Sequence, residues 1–150
     1  MLEIRLLKPE MEQALADFFV AIAKDDYAYY YRPYSLTPDT AKELCSLSGD
    51  DLYYVLIEKE VILGQGMLRG WDEGYSIPSL GIAIHPKAAG KGLGMMFTRF
   101  LHSVAWLKDC KAIRLTVYKK NVPAIRIYEK LGYIFTSKNE DELVGLLQGR

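Results

Sequence analysis

Between Ile84 and Gly94 the chain reads Ile-His-Pro-Lys-Ala-Ala-Gly-Lys-Gly-Leu-Gly, with glycines at 90, 92 and 94 and lysines at 87 and 91. Alternate glycines let a backbone adopt positive φ and turn several N–H groups into one concavity. The run follows an apolar stretch, Leu80 to Ile84, and opens a stretch of helical period. Its N–H groups therefore gather at a helix N-terminus, which carries about half a positive charge. That combination suits a pyrophosphate. Two well-known phosphate cradles are excluded by spacing. No Lys-Ser/Thr pair follows the last glycine, as a Walker A loop requires, and the G-x-G-x-x-G dinucleotide fingerprint is missing. A ligand-free strand-to-helix turn would use glycines in the same way.

Taken with its flanks, the stretch resembles the GNAT superfamily of N-acyltransferases. That family shows Q/R-x-x-G-x-G/A after its fourth strand, and here the match is Ala89-Gly90-Lys91-Gly92-Leu93-Gly94. The family's downstream pattern N-x-x-A-x-x-x-Y-x-x-x-G-F is met by Asn121, Ala124, Tyr128, Gly132 and Tyr133 with every spacing kept. The two departures are Ala89 in place of Gln or Arg, which removes one side-chain contact near the phosphates, and Tyr133 in place of Phe.

The resemblance implies acetyl-CoA as co-substrate, held between a splayed fourth and fifth strand. The backbone of Ile82, Ala83 and Ile84 would pair with the pantetheine arm, and the N–H groups of Ala89, Gly90, Lys91, Gly92, Leu93 and Gly94 would hold the pyrophosphate. Asn121 would contact the pantetheine or cap its helix. Tyr128 would be the general acid for the departing thiolate, although Ala124, Ile127, Tyr128 and Leu131 share a helix face and packing alone would also bury it. Many relatives carry a carboxylate on the fourth strand as base, whereas Ser79 to Ile84 contain none. Glu73 is then the expected base, with Asp72 beside it in the acceptor site, and a solvated turn is the bland alternative for both. His85 titrates in the right range but reads as a surface turn residue. In this fold the acceptor pocket is built from the loop after the first helix, so Tyr30, Tyr31 and Arg32 are expected to bind substrate.

These residues need elements to hold them. Leu2, Ile4 and Leu6 alternate with charges as a first strand. Met11, Leu15, Phe18, Phe19 and Ile22 share one helix face after Pro9. Thr37-Pro38 starts a short second helix that ends near Gly49. Strands follow at 52–57, 61–68 and 80–84. A long helix carries Leu93, Phe97, Phe100, Leu101 and Val104 on one face, and Ile113, Leu115 and Val117 alternate in the next strand. Asn121 caps a further helix that Gly132 ends, and 133–137 with 142–148 form a closing hairpin. The order β-α-α-β-β-β-α-β-α-β-β implies an α/β (α+β) fold in one domain over residues 1–150. Its sheet would be mixed and mostly antiparallel, with six to seven strands and about four flanking helices.

The chain has 150 residues, half of them hydrophobic, and its 19 basic residues balance its 19 acidic ones. A strongly basic field, the footprint of a nucleic-acid binder, is absent. Cys45 and Cys110 make no metal-ligand spacing and no disulfide framework, so no metal is expected. No apolar run approaches the roughly 20 residues that span a bilayer, and a cytoplasmic protein without membrane partners is the expectation. A homodimer is compatible with the sequence. The expected activity is acetyl transfer from acetyl-CoA to the primary amine of a small molecule, by direct attack on the thioester. Acetylation of a protein or peptide and a non-catalytic acyl-CoA-binding module are the alternatives.

Overall fold

The computed structural model describes residues 1–24 and 33–149. The expected acceptor residues Tyr30, Tyr31 and Arg32 lie outside the described residues. The elements are β1 (Glu3–Leu6), α1 (Glu12–Ala23) after a 3-10 turn at Pro9–Met11, α2 (Pro38–Ser46), β2 (Leu52–Glu58), β3 (Val61–Arg69), β4 (Ser79–Ile84), α3 (Leu93–Leu107), β5 (Ala112–Tyr118), α4 (Val122–Lys130), β6 (Ile134–Ser137) and β7 (Glu142–Gln148). Local chemistry sets several boundaries. The Thr37 hydroxyl accepts from the Thr40 N–H at 3.2 Å and Pro38 occupies the first turn of α2. Lys59 and Glu60 take positive φ, 48° and 65°, to turn β2 tightly into β3. Gly132, at φ 102°, ends the chain's run after α4.

The seven strands form one sheet in the order β1-β2-β3-β4-β5-β7-β6. Every neighbouring pair is antiparallel except β4 and β5. With four helices among the described residues, this is the mixed, mostly antiparallel architecture that the element order implies.

Strand alternation divides the core between the two sheet faces. Leu15, Phe18, Phe19 and Ile22 of α1 and Leu44 of α2 pack with Val55, Ile57, Met67 and Ala83 on one face. Phe97 and Leu101 of α3 pack with Leu56, Leu68, Leu80, Ile113 and Leu115 on the other. The α3 contact is close at Gly66, where an added Cβ would sit 2.8 Å from the Phe97 ring. The inward face of α4 is Ala124, Ile125, Tyr128 and Leu131. Ile127, expected on that face, is exposed, because the short helix meets the core one position to the side.

One irregularity of the sheet positions everything that follows. β4 pairs with β3 from Arg69↔Ser79 to Gly64↔Ile84, and β5 pairs with β7 along its whole length. Between β4 and β5 the register holds only Ser79↔Arg114, with the Arg114 N–H donating to the Pro78 carbonyl at 3.0 Å. Past that point the two parallel strands are not paired, and the sheet is split toward Ile84 and Tyr118.

Candidate active site

The split presents polar backbone. His85 N–H donates to Leu63 O at 2.8 Å, so in the antiparallel alternation His85, Ala83 and Gly81 direct their N–H and C=O groups to β3. Leu80, Ile82 and Ile84 direct theirs to the opposite side, into the split. An extended chain carrying amides would complete the missing ladder there. The peptide groups of Ile82 and Ile84 thus face the split. Ala83, also expected there, does not: its own peptide groups serve β3 and its side chain is buried against α1.

At the mouth of the split the glycine loop has the geometry of a cradle. Gly90 and Gly92 have φ of 77° and 78°, and a Cβ at either would meet nothing within 4 Å. The concavity is thus open, and glycine is required there by backbone conformation rather than by crowding. Gly92 is the N-cap of the 15-residue α3. The first intrahelical donor in this turn is Met96 N–H, to Gly92 O at 3.2 Å, so the N–H groups of Leu93, Gly94 and Met95 are left to an incoming group. Ala89 and Lys91 complete the loop, and Lys91 is exposed beside it. His85 Nδ1 accepts from Lys87 N–H at 3.1 Å. Burial first, and Lys87 second, lower its pKa, so His85 is a neutral turn residue.

Tyr128 projects from α4 into the cluster under the split, its ring edge-on to Tyr133 at 5.5 Å between centroids. Asn121 Oδ1 accepts from Ala124 N–H at 3.4 Å, which is the capping role. Beneath Tyr128 lies a polar pair that sequence spacing does not reveal. Tyr133 and His102, both buried, are joined by a hydrogen bond of 2.8 Å between the hydroxyl and Nε2. Burial, with a smaller contribution from Arg99, lowers the His102 pKa from 6.5 to about 4. Burial, with Tyr128 second, raises that of the Tyr133 phenol. The pair is therefore neutral and acts as a polar peg in an apolar core.

That peg makes stability depend on pH. The unfolded chain binds a proton at His102 below 6.5 that the folded chain refuses until about 4. The stability it contributes is whole above pH 6.5 and is lost as pH falls through the folded value. Between pH 7 and pH 5 the expected loss is about 2 kcal/mol. Replacing both partners, His102→Leu with Tyr133→Phe, should remove that component. Urea unfolding at the two pH values checks it, and equal pH dependence in wild type and double variant would refute it.

On the α1–α2 side of the sheet, at the closed end of the split, lies a cavity of about 960 Å³. Ser79 and Arg114, the single β4–β5 pair, form part of its wall, with Arg69, Glu73, Ser76 and Thr136. Glu73 thus borders the cavity. Asp72 does not. Its carboxylate accepts from Asp50 N–H at 2.7 Å and Asp51 N–H at 3.2 Å, while Asp51 Oδ1 accepts from Gly70 N–H and Asp72 N–H. The two aspartates clamp the loop after β3 and thereby hold Glu73. Arg69 and Arg114 went unnoticed as site residues because each sits in the outward phase of an ordinary strand alternation. No helix among the described residues is long and apolar enough to cross a membrane.

Comparison with known proteins agrees with this geometry. The family model described as "Acetyltransferase (GNAT) family" matches residues 11–133. A curated relative, spermine/spermidine N(1)-acetyltransferase of Bacillus subtilis (strain 168), is 36% identical over 56 residues, which cover 37% of this chain and 37% of that protein. The match thus spans little more than a third of the relative's length. Among solved structures, the PaiA N-acetyltransferase of Thermoplasma acidophilum in complex with coenzyme A superposes with a TM-score of 0.81 at 17% identity, covering 99% of both chains. The ribosomal-protein-S5-alanine acetyltransferase of Vibrio fischeri gives 0.80 at 16% identity over 98% of this chain and 92% of that one. At such identities these structures share the fold.

Proposed function

Because the chain belongs to the GNAT acetyltransferase family, we propose that it moves the acetyl group of acetyl-CoA to the primary amine of a small molecule. The carrying observation is the split sheet, with an N–H cradle at its mouth and a cavity at its closed end. The N–H groups of Gly90 to Gly94 hold the pyrophosphate, with Lys87 and Lys91 adding positive charge. The peptide groups of Ile82 and Ile84 pair with the pantetheine arm. When bound, acetyl-CoA supplies an activated acyl group as a thioester. The amine enters from the cavity side, and Glu73, through water, takes the proton that the ammonium must lose. Tyr128 donates its phenolic proton toward the sulfur as the thiolate leaves.

A cavity of about 960 Å³ at the closed end of the split has room for a small acceptor. The curated relative's name points to small amines as well, and it does so through a limited match. Thiol release in the presence of an amine panel and an N-terminal peptide tests the reading. Turnover of the peptide alone would favour protein acetylation, and no turnover with acetyl-CoA demonstrably bound would reduce the chain to a binding module. Within this reading, Glu73→Gln is expected to lower kcat/KM for the amine about 10-fold, less than a buried base because Glu73 is exposed. The loss should be largest below the amine's pKa, where a proton has to be removed. An unchanged pH–rate profile would place the base elsewhere.

A further inference from the structure

The registers Arg69↔Ser79 and Ser79↔Arg114 set three residues side by side across β3, β4 and β5, on one face of the sheet. Neighbouring strands lie about 4.8 Å apart, so the two arginine Cα atoms are separated by about 10 Å with Ser79 between them. All three border the cavity. Neither guanidinium forms an ion pair with a described residue. Among the described residues, the Tyr34 ring lies 5.7 Å from the Arg69 guanidinium carbon, and the Tyr53 phenol sits beside the guanidinium. Among the described residues, no carboxylate pairs with Arg69. Two like charges on long stems that face one cavity, with no described carboxylate paired to either, repel each other and favour an anion between them.

We propose that the acceptor carries a carboxylate beside the amine that is acetylated, and that Arg69 and Arg114 hold this carboxylate over Ser79. The planar forks of two arginines suit a carboxylate, and the Ser79 hydroxyl can donate to it. Glu73, the one acidic residue in the wall among the described residues, gives the cavity a negative group for the ammonium. The acceptor class is therefore an amino acid or a similar amino carboxylate. A polyamine would bring positive charge against two guanidinium groups and is disfavoured. This inference rests on the acetyltransferase reading and adds the charge of the acceptor to it.

The test compares amines that differ only in that charge. Glycine, β-alanine and a set of larger amino acids are assayed for thiol release beside their carboxamides and spermidine. At least one acid should be acetylated about 10-fold or more faster, in kcat/KM, than its own amide, the range expected for hydrogen bonds to a charged group. Arg114→Gln should erase that preference by bringing the kcat/KM of the acid down toward that of its amide, while Arg114→Lys should restore part of it. Amides or spermidine used as well as the acids would overturn the carboxylate assignment and leave the acetyltransferase reading intact. If no amine turns over, that reading fails, and the carboxylate site is then judged by calorimetry of the N-acetyl amino acids and their amides on the CoA-saturated protein. Acid-selective binding that is lost in Arg114→Gln would support the site, and equal or absent binding would overturn it.

Discussion

Tyr128→Phe is expected to lower kcat about 10²-fold while acetyl-CoA affinity stays near wild type, the low end of general acid effects because a thiolate is already a fair leaving group. The substitution keeps the ring and removes the hydroxyl. The Tyr128 ring packs into the cluster of Ile113, Leu115 and Tyr133, edge-on to the latter, and a phenylalanine ring fills the same socket. The Tyr128 carbonyl, which accepts from Tyr133 N–H at 3.1 Å, is untouched. What disappears is the phenolic O–H. A proton donor that acts as sulfur departs contributes to the transition state and little to the ground state, so the loss falls on kcat. Measured by thiol release, with single-turnover experiments to establish that chemistry limits the rate, an unchanged kcat would return Tyr128 to the role of core packing.

Gly92→Val is expected to abolish measurable acetyl-CoA binding. In wild type, acetyl-CoA at 100 times its Kd should stabilise the fold by about 2.7 kcal/mol, a rise in melting temperature of roughly 5–11 °C for a domain of this size. Gly92 has φ of 78° at the N-cap of α3, with open space where a Cβ would go. Valine fills that space with a branched group, above the N–H groups that the pyrophosphate must approach. It also disfavours the left-handed conformation, a strain of about 1–3 kcal/mol. The melting temperature of the unliganded variant measures the strain, and the missing ligand-induced rise measures the binding loss. A full rise in Gly92→Val would remove the loop from the binding site, and the absence of any rise in the wild type would remove acetyl-CoA itself.

Much of the architecture is legible along the chain because its causes are local. Met11, Leu15, Phe18, Phe19 and Ile22, the stripe of α1 and the turn before it, all become buried, since a helical period fixes which side chains share a face. Thr37-Pro38 and Asn121 start helices because caps act over three residues. The two motifs carry the family because each lies within one loop or one short helix with its caps. Ile127 shows the limit of that logic. The sequence defines the stripe of α4 only to within one position, and docking against β5 and the Tyr133 segment selects Ile125 for the interior.

The sequence by itself thus determined the elements, their order, the glycine cradle and the tyrosine of α4. The tertiary structure alone decided how the sheet splits and what gathers at its closed end. Whether Ala83 offers its backbone to a ligand depends on which side of β4 faces β3, a register that no local pattern records. Asp72 and Glu73 are neighbours of like type, yet one clamps the backbone of Asp50 and Asp51 and the other borders the cavity. Arg69 and Arg114 belong to strands far apart in the chain and meet only through Ser79. Side chains that share a cavity by cross-strand register are related through pairing of distant segments, and the free energy that fixes such pairing is distributed over both cores.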